Sequence, residues 1–332
     1  MLLSNYKGTP AFSSLWIPDT YNEIYPAVTD SSEDDNPYFR AKIHRAYCIY
    51  TAGSLTATIG RQMVRFGTGR LWNPLDLMNP LDPTAIEGPD DQKGIDAVRG
   101  DWFFDELTEV TAAWAPGRRN DSISDAGAQD HNYAVRFKKV YRNFQPALLG
   151  GYISSRTAAG GDLAVIVLDG ILRGALVAYY PDEGDPFYNS GGGYEYTFKN
   201  GLYFTAEYFY NSASLNSDAN LQSEYLRSLQ GGLDQASSEI LSSRFITLNR
   251  HYSGTGLGYD VHPLVRADAY LIYDFEGKGL FTSISVKANL MENLNLTAGA
   301  MAGHVFSGSD KQSDFEDLES SPLFYGSLEF YF

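Results

Sequence analysis

Polar and apolar residues alternate with a period of two through most of this 332-residue chain. In 265–275, Val265, Ala267, Ala269, Leu271, Tyr273 and Phe275 fall on one face; Arg266, Asp268, Tyr270, Ile272 and Asp274 fall on the other. In 280–290 the faces are Leu280, Thr282, Ile284, Val286, Ala288, Leu290 against Phe281, Ser283, Ser285, Lys287, Asn289. In 202–211 they are Leu202, Phe204, Ala206, Tyr208, Tyr210 against Tyr203, Thr205, Glu207, Phe209, Asn211. Such alternation specifies a strand with one apolar and one polar face. The runs are about ten residues long, whereas ordinary globular strands average five or six. A tilted strand crossing a bilayer needs about 9–11 residues. The longest unbroken aliphatic run, 163–168, has six residues, far short of the about 20 of a membrane helix.

The connections sort into two kinds. Short ones fall at Ala52-Gly53, Asp105-Glu106, Asp169-Gly170, Asn200-Gly201, His262-Pro263 and Met291-Glu292-Asn293; Asn-Gly and Asp-Gly suit two-residue hairpins because both central positions need positive φ. Long polar ones fall at 18–37, 67–96, 117–130, 181–189, 212–244 and 307–321, with two short exceptions near 157–160 and 276–278. The pattern predicts strands over 8–17, 38–50, 53–66, 97–104, 107–116, 131–141, 145–156, 161–168, 172–180, 190–199, 202–211, 246–261, 264–275, 279–290, 294–306 and 322–332. With sixteen strands and the last running down, every long loop lies on one rim. The expected fold is all-β: a single antiparallel up-and-down transmembrane β-barrel of about 16 strands (14–18) over residues 1–332. Short turns on one rim and long loops on the other characterise outer-membrane barrels.

Two further features fit a bilayer. Aromatics stand at predicted strand ends, among them Trp16, Tyr50, Trp102, Trp114, Tyr141, Tyr180, Phe198, Tyr259 and Phe275, where membrane interfaces favour them. The chain closes with Phe324, Leu328, Phe330 and Phe332 on one face of the last strand. That ending resembles the closing strand of Gram-negative outer-membrane barrels; the resemblance implies an assembly signal read by the barrel-assembly machinery. Lys+Arg is 25 against Asp+Glu 41, a net charge of −16, which argues against a nucleic-acid partner.

The stretch Gly60–Pro83, with Gly67-Thr68-Gly69-Arg70-Leu71-Trp72-Asn73-Pro74-Leu75-Asp76-Leu77-Met78-Asn79-Pro80-Leu81-Asp82-Pro83 at its centre and Gly94-Ile95-Asp96-Ala97-Val98-Arg99 after it, resembles porin-like outer-membrane proteins of Gram-negative bacteria. The resemblance implies a pore-forming or sheath-like barrel and names no solute. Such proteins carry a cleaved leader; Met1–Lys7 shows no basic segment followed by an apolar one, so a mature or truncated form is expected.

Physically, 67–96 is an unusual loop. Its three Asx-Pro pairs disfavour helix, and Leu71, Trp72, Leu75, Leu77, Met78 and Leu81 are too apolar to wave in water. It is expected to fold inward and constrict the channel, with Arg70, Trp72, Asn73, Asp76, Asn79 and Asp82 as constriction residues; a rim cap is the alternative. Loop 212–244 is expected to be external with a short helix, from Leu221, Tyr225 and Leu229 at helical spacing. The polar faces place Arg40, Lys42, Arg136, Lys138, Arg156 and Arg173 on the early wall of the lumen. Glu195, Glu207, Asp268 and Asp274 lie on the later one, with Arg266 and Lys287 interspersed. These charges either focus a field across the pore or pair wall to wall and hold the barrel in shape.

Catalytic signatures are missing: there is no HExxH, GxSxG or P-loop. Cys48 is the single cysteine. No enzyme activity, metal or cofactor is expected. The leading function is a passive channel for small hydrophilic solutes or ions. The alternatives are a sheath around a periplasmic protein partner such as a multihaem cytochrome, and a specific export or uptake channel.

Overall fold

The computed structural model describes residues 28–30, 40–42, 45–78, 94–116, 131–153, 156–182, 184–214, 247–320 and 322–330. Two short strands, β1 (Val28–Asp30) and β2 (Arg40–Lys42), pair as a sheet of their own. The main sheet holds fifteen strands in chain order, each hydrogen-bonded antiparallel to its neighbours. They are β3 (Ala46–Ala52), β4 (Leu55–Gln62), β5 (Ile95–Asp105), β6 (Thr108–Ala115), β7 (Asn132–Lys139), β8 (Phe144–Ile153), β9 (Arg156–Val167) and β10 (Gly170–Pro181). There follow β11 (Phe187–Thr197), β12 (Tyr203–Asn211), β13 (His251–His262), β14 (Val265–Asp274), β15 (Gly279–Met291), β16 (Leu294–Val305) and β17 (Leu323–Phe330). A one-turn helix, α1 (Glu316–Ser320), lies in the last long connection. Among the described residues β3 and β17 are the two edges of the sheet, and the strand expected over 8–17 lies outside them. No described helix is long and apolar enough to cross a membrane.

Within the main sheet, the described strands begin and end on the rims that the sequence assigned them. Tight turns join β3–β4, β5–β6, β7–β8, β9–β10, β11–β12, β13–β14 and β15–β16; the long connections all lie at the opposite rim. Two details differ. The strand expected over 38–50 divides: Arg40 and Lys42 sit in β2, register partners of Asp30 and Val28, and only Ala46–Ala52 joins the main sheet. A thirteen-residue run exceeds what a bilayer crossing needs, and its surplus finds a partner in β1. The β9–β10 turn is Leu168-Asp169, both at positive φ (50° and 60°), rather than Asp169-Gly170. Gly170 already pairs with Val167. A Cβ there would lie 2.3–2.4 Å from the Tyr194 ring and hydroxyl, so the glycine makes room for a crossing tyrosine, not for a turn.

One short segment shows how the sheet curves. Residues 63–78 touch the same face from β5, where Ile95 and Ala97 share a cluster with Val64, Phe66, Leu75, Leu77 and Met78, to β13, where Leu71 and Trp72 lie over Gly254. Eight inter-strand steps would cover about 38 Å in a flat sheet. The sheet therefore curls around the segment, as a barrel wall does around its lumen. The opposite face is apolar and bare: Leu148 is 68% exposed, Ile284 55% and Phe324 76%, with Val135, Leu163, Leu172, Leu176, Leu257 and Leu271 beside them. A continuous face of this kind marks a surface made for something other than water. Aromatics fringe it at both heights. Near the tight turns stand Trp102 and Phe104 (5.0 Å between rings), Tyr141 and Phe144 (4.5 Å), and Tyr196 and Phe198 (4.8 Å). Near the long connections stand Tyr188 and Tyr210 (5.5 Å) and Tyr273 and Phe275 (5.1 Å). Two girdles around an aliphatic band are the surface of a membrane barrel.

Candidate functional site

The concave face carries the site. Its floor is segment 63–78, which leaves β4, folds in and docks by burying Val64, Phe66, Leu75, Leu77 and Met78 against Ala113, Ala115, Ala134, Leu149, Ala158, Val177 and Tyr179. The small residues of β6, β7 and β9 leave the depth that the loop's large side chains fill. Full burial of a side chain of that size is worth about 1.5–3 kcal/mol over exposure. Within the segment, Asn73 donates to the Phe66 carbonyl, and Asp76 N–H closes a turn on the Asn73 carbonyl at 2.9 Å.

Polar anchors tie the segment to β11 and β12. Glu207 Oε1 accepts the Arg70 N–H at 2.8 Å; Oε2 accepts the Leu71 and Trp72 N–H groups at 2.9 and 3.0 Å. Arg70 Nε donates to Glu195 at 2.8 Å, Arg173 donates to the same carboxylate, and so does the Tyr203 hydroxyl at 3.0 Å. The Glu195 contact holds the Arg70 guanidinium above its ordinary pKa. Trp72 stacks on Phe209 at 5.7 Å and also packs against a second cluster, Ile272, Phe281, Met301, Phe315 and Leu318.

That second cluster is a finding the sequence did not foreshadow. The β16–β17 connection, expected only as an external loop, also turns inward: Phe315 and Leu318 lay themselves on the concave face of β14–β16, with Phe315 5.7 Å from Phe281. The one available signal was an apolar pair at helical spacing inside an acidic loop. A buried polar clasp holds this loop down. Asp274 Oδ1 accepts the Glu276 and Gly277 N–H groups, both at 3.1 Å, and Oδ2 accepts Asn249 Nδ2 at 2.6 Å. Asn249 Nδ2 also donates to the Gln312 carbonyl at 2.8 Å, and the Tyr252 hydroxyl donates to Asp314. At the outer surface Lys311 Nζ reaches Glu276 at 2.6 Å. Burial alone would raise the Glu276 carboxyl; the hydrogen bonds from Lys311 and the Arg250 N–H outweigh it and lower the pKa.

The expected wall residues take these places. Arg136, Lys138, Arg156, Arg173, Glu195, Glu207, Arg266, Asp268 and Lys287 alternate onto the face that carries the segment. Most pair with a neighbour in the wall rather than across the lumen: Arg136 with Asp162, Lys138 with Glu109, Arg173 with Glu195, Arg266 with Asp268 and Lys287 with Glu329. Arg156 opens β9 at the long-connection rim. Asp274, expected on the channel wall, is 0% exposed beneath the clasp instead, where a solute cannot reach it. Arg70, expected at the constriction, gives its backbone N–H to Glu207 and its guanidinium to Glu195. Asp76, expected near the path, is 2% exposed and turned toward Arg65 at 3.7 Å. Asn79 and Asp82 lie outside the described residues, as do Phe332 and the helix expected within 212–244. Phe324 and Leu328 point outward from β17, and Phe330 ends that strand.

No protein-family model matches the chain, and no curated protein sequence does. Solved structures do. Pseudomonas aeruginosa OccK10 (OpdN) is similar over 92% of this chain and 91% of its own, with a TM-score of 0.52 at 9% identity. Acinetobacter baumannii OccAB4 covers 86% of this chain and 72% of its own at 0.51 and 9%. The outer membrane protein opdK from Pseudomonas aeruginosa covers 85% and 77% at 0.50 and 10%. At such identities the likeness is one of fold: an antiparallel β-barrel of the outer-membrane type.

Proposed function

We infer that this chain is an outer-membrane channel through which small hydrophilic solutes or ions diffuse passively. The observation that carries the reading is the contrast between the two faces of one curled sheet. The outer face is bare aliphatic surface between two aromatic girdles, which only lipid would cover; the inner face is lined by ion pairs and narrowed by an anchored segment. Sixteen-stranded barrels leave an aqueous passage, and the inward segments would set its width. The outward Phe324 and Leu328 of the last strand suit recognition by the barrel-assembly machinery. Two loops folded into the mouth leave less room for an inserted periplasmic protein, which favours the channel over the sheath. An export channel for apolar substrates would want an apolar lining, not neighbouring charges of both signs.

Reconstitution in planar bilayers tests this. Stepwise single-channel openings that scale with bulk conductivity are expected. Silence from protein that runs as a folded, heat-modifiable barrel on cold gels would refute it.

A further inference from the structure

Glu207 leans from β12 over the concave face and is 9% exposed. Its two oxygens take three consecutive backbone N–H groups, those of Arg70, Leu71 and Trp72, at 2.8, 2.9 and 3.0 Å. Successive N–H groups converging on one point form a nest, an arrangement that binds anions. Here the anion is a side chain of the wall, 135–137 residues away in sequence. The wall is shaped to let it reach. Its register partner on β11 is Gly193, where a Cβ would lie 2.4 Å from Glu207 Cγ, so any side chain there would push the carboxylate away. Two residues along β12, Phe209 holds the Trp72 ring. The nest thus sits where the segment turns from its apolar dock toward the later wall.

We propose that Glu207 is a positioning residue that works as a built-in anionic latch. Its carboxylate fills the N–H cradle of residues 70–72, fixes the segment against β12 and so sets the constriction. The cradle recognises a carboxylate as such: when the side chain is removed, a small carboxylate from solution takes its place and re-docks the segment. Packing alone would not respond in this way, because formate returns charge and acceptors to the cradle and fills the space left beside β12, but restores none of the side chain's methylene contacts. The inference depends on the channel reading only for its electrical readout.

The test uses the full chain as Glu207→Ala and Glu207→Gln, with sodium formate as the probe. Amide hydrogen exchange at residues 70–72 reads the cradle without any conduction. In E207A it is expected to be about tenfold faster or more, because three hydrogen bonds to a charged acceptor are lost. Formate should slow it again, and chloride at equal ionic strength should not. In bilayers E207A should open to a larger, noisier current that formate quietens, while the parent channel ignores formate. E207Q keeps the volume and one accepting oxygen; it should fall between the two, and it carries the test if E207A fails to assemble. Unchanged exchange at 70–72 in both variants overturns the latch, as does formate acting no better than chloride. A parent that is silent in bilayers but shows the exchange pattern refutes the channel and supports the latch.

Discussion

The pair Arg136–Asp162 gives the sharpest measure of what the inner face does. Arg136 projects from β7 and Asp162 from β9; one guanidinium nitrogen meets both carboxylate oxygens, at 3.1 and 2.8 Å. The side chains are 12% and 0% exposed. Between them runs β8, whose residue in register with Asp162 is Ala147, small enough for the guanidinium to cross above it. Replacing Asp162 by Ala strands a guanidinium that cannot shed its proton. Breaking one side of a buried pair costs about 3–5 kcal/mol, whereas removing both charges together is often close to neutral. The variants to compare are Asp162→Ala, Arg136→Met and the double. Urea unfolding of the refolded barrel reads stability; with a slope of about 3 kcal/mol per molar, at the upper end for small proteins, the midpoint of D162A should fall by about 1 M or more. The double variant should recover most of that loss. In bilayers the two single variants should move the reversal potential in opposite directions, R136M toward cations and D162A toward anions. The double should return near the parent. Both shifts should shrink at 1 M salt, where the Debye length is about 3 Å. Additive losses in stability, with the double variant worse than either single one, would refute the claim that the pair is a locally compensated unit. Reversal potentials equal in all four proteins would show that the pair does not border the conducting path.

Three further outcomes are expected. Ile284→Arg places a charge on the bare outer face at the middle of β15; at mid-membrane depth that costs about 2–4 kcal/mol, so the folded fraction on cold gels should drop, and an unchanged fraction would mean the face does not meet lipid. A thiol placed by Asp310→Cys in a Cys48→Ser background should react with an impermeant maleimide on intact cells; labelling only after permeabilising the outer membrane would invert the orientation. Glu276 has a lowered pKa in the fold, so its clasp to Lys311 is fully present above the ordinary carboxylate value of about 4.3 and is lost as pH falls through the lower folded value. A fluorophore on the thiol at 310 should therefore gain mobility only on acidification below that range. Lys311→Met should be mobile already at neutral pH, and a response centred near pH 6–7 would point to another group.

For the strands of the main sheet, the sequence by itself determined their faces and their rims. Alternation is a local property: a strand's side chains point oppositely at each step, and a wall between lipid and water must show one kind of residue on each side. Thus Leu271 faced out and Asp268 in before any contact was known. The stretch 67–78 announced its inward fold in the same way, because Leu71, Trp72 and Leu75 cannot rest in water. What only the tertiary structure decided are partnerships between residues far apart in the chain. The Asp169-Gly170 turn gave way to Leu168-Asp169 because Tyr194, from the next hairpin, needs the space over Gly170. Asp274 looked like any other inward acid until Asn249 and the turn after it closed over its carboxylate. The charges of the inner face pair within the wall, because neighbouring strands lie only about 4.8 Å apart. Most of the long basic side chains of the wall therefore meet an acid on their own or a nearby strand first, as Lys287 meets Glu329 two strands on, and Glu207 found its nest in a loop 135–137 residues earlier in the chain.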